Sequence, residues 1–292
     1  MKKFFLLSLF SFSFSQAASP TWNGRVFKVK DGQEITFSQL KEELSAYQLI
    51  ALGENHSTQE VQDMQAKVIS EVVMHTSTQN NFTLAWEFLN VKDQAKTDRN
   101  FSLLKEGKIT TQEFIDYAMA GGNSYRPYAP VIESVSKLSG TLLGINLTRQ
   151  EKSPVTRGGI SAANPDLVPP GYEIGGANYF NRFKAEMGGH DSEENTRNYF
   201  DSQCLTDDVM AFHTLKNNNT AKTFLIAGHF HTDYNDGVVQ RLAVRAPNLV
   251  KATVRIVDAS DYTPEQISPM MHDSVYGDVS DYVVYVKEPY IK

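Results

Sequence analysis

The chain has 292 residues, a formal net charge of −6 and one cysteine, and its basic residues are scattered along the sequence. This pattern gives neither the cationic footprint of a nucleic-acid-binding protein nor a polybasic membrane patch, so we expect a small-molecule ligand and no nucleic acid. Cys204 cannot form an internal disulfide. Its position in a helical pattern over residues 199–215 predicts that it is packed rather than reactive.

Residues 1–17 predict a cleaved secretory signal peptide. Two lysines precede an apolar run over residues 4–14, and residues 15–17 are small enough for a cleavage site. The run is too short to cross a bilayer and no comparable run follows, so no membrane span is predicted. No cysteine near the cleavage site could carry a lipid anchor. For a bacterial source we therefore expect a periplasmic or secreted protein, with residues 18–292 as a single α/β domain.

Six apolar, β-rich runs alternate with helical patterns along the rest of the chain. Apolar residues at helical spacing predict a helix over residues 58–75, between the first two runs, and another over residues 237–244. Strands that alternate with helices are typical of a mostly parallel β-sheet flanked by helices. The predicted strands are residues 49–52, 82–86, 141–145, 223–227, 252–257 and 281–286.

Two segments are much longer than a minimal connection between parallel strands. Residues 91–138 and 150–219 contain helical patterns separated by glycine- and proline-rich breaks. We interpret them as helical insertions in the α/β domain, forming a smaller all-helical subdomain or cap.

The first four predicted strands all run into polar or ionisable residues. Ligands of open parallel sheets bind beyond the carboxyl ends of the strands, so the residues at these ends are the candidates for a functional site. They are Glu54, His56, Glu87, Asn146, Arg149, His229 and His231.

The spacing of these residues predicts that they converge. Residues two apart in an extended segment point to the same side, which would align Glu54 with His56 and His229 with His231. Imidazole and carboxylate groups in one pocket can hold a transition metal, or they can perform general acid and base chemistry. The residues alone leave both possibilities open.

Several blocks, in this order along the chain, resemble the ChaN-type haem-binding proteins. This family belongs to a superfamily that also contains the Tiki proteases and the erythromycin esterases. The blocks span most of the chain beyond the predicted signal peptide and are fairly specific as a set. They are Leu52-Gly53-Glu54-Asn55-His56, Ala85-Trp86-Glu87-Phe88, Gly144-Ile145-Asn146-Leu147-Thr148-Arg149, residues 203–211, and Ala227-Gly228-His229 with Gly237 and Leu242 downstream.

The resemblance implies an exported protein that binds haem or a related iron tetrapyrrole, acts in haem or iron uptake, and forms a homodimer around its ligand. In such proteins a tyrosine binds the iron and a histidine lies near the propionates, because a phenolate suits ferric iron and propionates need hydrogen-bond donors. Tyr172 and Tyr179 are the first candidates for the iron ligand, ahead of Tyr125, Tyr128 and Tyr234. The other expected haem contacts are His56, His229, His231, Asn146 and Arg149.

The wider superfamily implies an alternative function, that of a hydrolase. Tiki-type proteases carry two Gly-x-x-His motifs, of which Gly53 to His56 matches the first, whereas Ile226 or Ala227 replaces the glycine of the second. Under this hypothesis an esterase or protease activates a water, with or without a divalent metal ion. The residues that would carry this chemistry, or bind the metal, are Glu54, His56, Glu87 and His229. A third hypothesis is a scaffold in an envelope assembly.

Overall fold

The computed structural model describes residues 24–119, 122–189, 192–267 and 269–290. The predicted signal peptide at residues 1–17 lies outside them. In these ranges no helix has the length and apolar character needed to cross a membrane.

A central sheet of eight strands contains six parallel strands and an antiparallel pair at one edge. Its spatial order is β2-β1-β10-β7-β3-β6-β4-β5, and a separate two-stranded ribbon pairs β8 with β9. Because β6 lies between β3 and β4, the carboxyl ends of these three strands are neighbours. The strands are β1 Arg25–Lys28, β2 Gln33–Ile35, β3 Leu49–Glu54, β4 Phe82–Asn90, β5 Thr141–Asn146, β6 Lys222–Gly228, β7 Lys251–Asp258, β8 His272–Asp273, β9 Gly277–Asp278 and β10 Tyr282–Val286.

Helices cover both faces of the sheet. The segment 91–138 contributes α3, α4 and α5, and the segment 150–219 contributes α6, α7 and α8. The predicted helices after β3 and β6 are present as α2 and α9. The helices are α1 Phe37–Ser45, α2 Gln59–His75, α3 Gln94–Lys105, α4 Thr111–Ala118, α5 Ala129–Lys137, α6 Arg149–Gly158, α7 Ala177–Glu186, α8 Glu193–Lys216, α9 Gly237–Arg245 and α10 Pro264–Ile267.

The central strands are apolar on both sides, as expected for parallel strands buried on both faces. Ile50 and Leu52 pack with residues of α1 to α5, whereas Leu49 and Ala51 pack with residues of α8 and α9. The predicted α/β fold, a mostly parallel sheet flanked by helices, is therefore confirmed. Strands β1, β2, β8 and β9 and helices α1 and α10 were not predicted.

The end of β4 departs from regular pairing. Its register with β5 shifts between Trp86 and Asn90, so Glu87 lies in an irregular stretch of strand. Gly144 in β5 makes this possible, because a Cβ at that position would collide with the backbone carbonyl group of Asn90. The absence of a side chain at Gly144 thus helps to set the position of Glu87.

We expect Gly144→Ala to destabilise the protein by roughly 1–3 kcal/mol, because the β4 backbone would have to shift to accept the methyl group. Urea unfolding measures the change. Gly176→Ala is the matched control, since nothing lies within 4 Å of a Cβ there. Equal stability of the two variants would contradict the close approach of β4 to β5.

Candidate functional site

A cleft lies at the carboxyl ends of β3, β6 and β4. Its main pocket has a volume of about 530 Å³, and its neighbour has a volume of about 600 Å³. Both pockets share Phe183, Gln203 and His231, so they are two compartments of one cleft. The main pocket is lined by Glu54, His56, His229 and His231 together with Met187 and Phe230.

Glu54 ends β3, and its side chain is only 1% exposed. Oε1 accepts a hydrogen bond from the Tyr128 hydroxyl at 2.5 Å and lies 2.9 Å from Nδ1 of His56. Oε2 accepts from the amides of Gln62 and Gln65, which lie three residues apart on α2, at 2.8 and 2.7 Å. Both carboxylate oxygens are therefore satisfied, and Glu54 fixes the orientation of the imidazole beside it.

His56 follows β3 and has a side chain that is 45% exposed. Its ring packs against Phe88, and its Nε2 reaches the space above Gly228, where a Cβ would be only 2.7 Å from that nitrogen. Burial opposes protonation, but the hydrogen bond to Glu54 and the charge of Glu87 outweigh it and raise the pKa of His56. His56 is thus biased toward the imidazolium form.

His229 begins a short 3-10 turn directly after β6. Its Nδ1 lies 2.7 Å from the Asp233 carboxylate, and its side chain is 37% exposed. Asp233 is buried, and its other oxygen lies 3.5 Å from Nε of Arg255. Carboxylates held against one imidazole nitrogen orient histidines whose other nitrogen binds a metal or a ligand. Within the described residues, no hydrogen bond engages Nε2 of His229 or of His56.

The predicted alignment of His229 with His231 is wrong. The chain does not stay extended after β6: residues His229–His231 form a 3-10 turn, in which the amide of Thr232 donates to the carbonyl of His229 at 2.9 Å. The two side chains therefore diverge. His229 faces the cleft and Asp233, whereas His231 turns inward and is buried.

His231 is the cation between two buried carboxylates. Its Nδ1 lies 2.6 Å from Asp207 of α8, and its Nε2 lies 3.4 Å from Glu87 of β4. Burial opposes the charged form of His231, but Glu87 and Asp207 outweigh it and raise the pKa to about 10. Burial likewise opposes ionisation of Glu87, but His231 and the amide of Gly228, which donates at 2.7 Å, lower its pKa to about 2. This ion chain ties α8 to two strand ends.

Arg149 lines the second pocket, whereas Asn146 lines neither pocket and contacts Lys152, which does. Asn146 ends β5 and is buried, with its amide oxygen accepting from the backbone N–H of Leu147 at 2.8 Å. Thr148 then starts α6 with a capping box. The first turns of α6 consequently carry Arg149 and Lys152 into the second pocket.

The first two tyrosine candidates lie behind the cleft. Tyr179 is 1% exposed, stacks on Phe230, and donates a hydrogen bond to Asp207 at 2.8 Å. The Tyr172 hydroxyl is buried and has no hydrogen-bond partner in the described structure. Burial raises the pKa of both hydroxyls, which disfavours the phenolate that would bind ferric iron. In this structure a different tyrosine, Tyr199, lines the second pocket.

The other tyrosine candidates also have packing or hydrogen-bonding roles. Tyr128 is fully buried and donates to Glu54, while Tyr125 packs beside it against Phe88. Tyr234 lies over the Arg182 guanidinium.

The partners of His231 on α8, Asp207 and Gln203, were not predicted as site residues. Both lie in the helical segment 150–219 and in the block 203–211, to which the sequence assigned no site role. The available signal was that Gln203 and Asp207, four residues apart, share the helix face that also carries the apolar Met210 and Ala211. A carboxylate on a buried helix face requires a partner, and that partner is His231.

The prediction of a divalent metal ion bound by Glu54, His56, Glu87 and His229 gains no support. In the described ranges, no three His, Cys, Asp or Glu side chains converge in a geometry that could hold a metal ion. The reason lies in the pairing, since each of these acids already engages an imidazole or several donors.

We expect His231→Gln to reduce the free energy of unfolding by roughly 3–5 kcal/mol near neutral pH, because it leaves buried carboxylates without their cation. The folded-state pKa of about 10 lies above the usual 6.5, so the contribution of His231 is complete below 6.5 and is lost as the pH rises through 10. Urea unfolding of both proteins across this range checks it. His75→Asn, at the exposed end of α2, is the control; a pH-independent difference for His231→Gln would argue against a charged His231.

Comparison with known proteins supports the family resemblance that the sequence blocks indicate. The family described as haem-binding uptake, Tiki superfamily, ChaN matches residues 40–242. The solved structure described as cofacial heme binding to ChaN of Campylobacter jejuni is 20% identical, with a TM-score of 0.71, and the match covers 90% of this chain and 96% of that one. At this identity the likeness shows a shared fold.

Two more distant structures are similar over most of the chain. The type III effector HopBA1 is 11% identical with a TM-score of 0.47, covering 92% of this chain and 99% of that one. A mutant of the erythromycin esterase EreC in its open conformation is 13% identical with a TM-score of 0.47, covering 92% and 84%. Neither score bears on the chemistry of the site, and no curated protein matches the chain. Because the family match spans more than half of the sequence, the chain belongs to the haem-binding uptake family of the Tiki superfamily, ChaN.

Proposed function

We propose that this protein binds haem in the cleft at the carboxyl ends of β3, β6 and β4. The observation that carries the proposal is the state of His229. A buried carboxylate holds its Nδ1, and its Nε2 has no partner among the described residues, so this ring nitrogen is available to an iron atom.

The walls of the main pocket fit a flat, largely apolar ligand. Phe183, Met187 and Phe230 contribute apolar surface, and the volume of about 530 Å³ is in the range of small-molecule sites. His56, which is biased toward its protonated form, is suited to donate a hydrogen bond to an anionic group rather than to bind iron. Haem supplies the iron atom that His229 would bind.

The tyrosine ligand implied by the family resemblance has no counterpart among the first candidates in this conformation. Tyr179 is engaged by Asp207, and the Tyr172 hydroxyl is buried. We therefore propose His229 as the iron ligand and keep the tyrosines as variants to be tested.

Export, uptake and dimer formation complete the proposal. The predicted signal peptide at residues 1–17 supports a periplasmic or secreted protein, where haem or iron would be acquired. Family membership supports the role in uptake. A homodimer that encloses the ligand follows from the resemblance, and size-exclusion chromatography with and without haemin would test it.

The hydrolase alternative gains no support from the site. Glu54 is saturated by hydrogen bonds from Tyr128, Gln62 and Gln65 and by its contact with His56. Glu87 engages His231 and the Gly228 amide, and its lowered pKa makes it a poor general base. Haem binding is the function that the geometry and the family favour.

We expect the mature protein to bind haemin saturably with a red-shifted Soret band, and His229→Ala to lose that shift because the iron loses its protein ligand. An absorbance titration measures both. Tyr172→Phe and Tyr179→Phe are the matched comparisons and should keep the band. Metal-free protoporphyrin IX should bind wild type and His229→Ala equally.

The opposite pattern of Soret shifts among the variants would change the assignment of the iron ligand. Loss of the Soret shift only in a tyrosine variant would move the iron ligand to that tyrosine. Absence of saturable haemin binding by the wild-type protein would overturn the proposed function itself.

A further inference from the structure

The second pocket of the cleft has a cationic wall. Arg149, Lys152 and Arg157 line it from α6, where spacings of three and five residues bring all three to the same pocket. No ion pair within the described residues engages any of these three side chains. The wall therefore holds three cationic side chains outside any ion pair, of which Arg149 and Arg157 are exposed and Lys152 is within the electrostatic influence of Glu87 and Asp207.

Three arginines elsewhere around the cleft are held by carboxylates. Arg241 and Arg245 both bind Asp208, and Arg182 binds Asp236. The whole chain has more acidic than basic residues, 34 against 28, so carboxylates are not scarce. Three cations that converge on one pocket wall with no ion pair make this wall suited to an external anion.

The acidic groups that face this pocket are already neutralised. Glu87 lines it, but His231 and the Gly228 amide engage its carboxylate. Asp207 lies behind His231 and binds it together with Tyr179. The nearest polar contact of the Lys152 ammonium is the neutral amide oxygen of Asn146 at 3.4 Å. Burial lowers the pKa of Lys152, an effect that an anion beside it would reverse.

Building on the proposed haem site, we infer that this second pocket is the anion subsite of the cleft and that it holds the carboxylate groups of the ligand bound in the main pocket. Guanidinium groups bind carboxylates bidentately, and a lysine binds them as a point charge. Because Phe183 and Gln203 border both compartments, one ligand can extend its apolar body along the main pocket and its acidic arms into the second.

Haemin and its dimethyl ester test this inference, because the ester keeps the ring and the iron but loses both negative charges. We expect the wild-type protein to bind haemin at least tenfold more tightly than the ester, since charge-assisted hydrogen bonds contribute about tenfold each. The double variant Arg149→Met, Lys152→Met should lose that preference while it binds the ester as the wild type does. Absorbance titration measures all four affinities.

A matched control separates the subsite from a general effect of net charge. Lys96→Met removes an exposed cation from α3, remote from the cleft lining, and should leave the preference for haemin unchanged. Added inorganic phosphate should weaken haemin binding to the wild type more than to the double variant if a free anion competes for the same wall.

The outcomes distinguish the two proposals. Equal binding of haemin and ester by the wild type would overturn the anion subsite and leave haem binding intact. If neither binds, the haem proposal fails, and calorimetric titration with succinate decides the subsite separately. Succinate binding that disappears in the double variant would support it, and no binding would overturn it.

Discussion

The ion chain of Asp207, His231 and Glu87 is the constraint on which the cleft depends. It joins α8, the turn after β6 and the irregular end of β4 through one buried imidazolium. Two buried carboxylates are costly without a cation between them, so the turn has to deliver His231 inward. Because His231 takes the inner position, His229 is left facing the cleft. A single tight turn thus yields one structural and one accessible histidine.

In all three histidines of the cleft a carboxylate contacts one ring nitrogen, but the surroundings of the other ring nitrogen differ. Each has its Nδ1 held by a carboxylate, Glu54 for His56, Asp233 for His229 and Asp207 for His231. The second ring nitrogen decides the role. In His231 it lies against Glu87, whereas in the other two no hydrogen bond within the described residues engages it. Similar carboxylate–imidazole pairs therefore differ in whether their second nitrogen is engaged within the protein.

The sequence was a good guide to elements with strong periodicity. The buried strands β3 and β6 were predicted to within two residues because their apolar runs end at sharp polar boundaries, whereas β4 continues four residues beyond its predicted end. The edge strands β1 and β2 were missed because three or four residues carry too little pattern. The convergence of strand ends was anticipated, since parallel topology implies it.

The failures concern contacts between residues that are distant in the sequence. No sequence pattern near His231 predicts its contact with Asp207, which lies 24 residues away on α8. The prediction assumed an extended chain after β6. The chain instead forms a 3-10 turn, which the buried contact between His231 and Asp207 stabilises. Likewise, no sequence pattern around Tyr179 predicts that its hydroxyl donates a hydrogen bond to Asp207. Side-chain roles here are set by tertiary partners.

At Gly228 the side chains of the cleft lie directly against the backbone. Its amide holds Glu87, and the space where its side chain would be is filled by the imidazole of His56. Every other amino acid would displace that ring, even those that could keep the hydrogen bond. A residue with no functional group of its own is therefore constrained by the two ionisable side chains that lie against it.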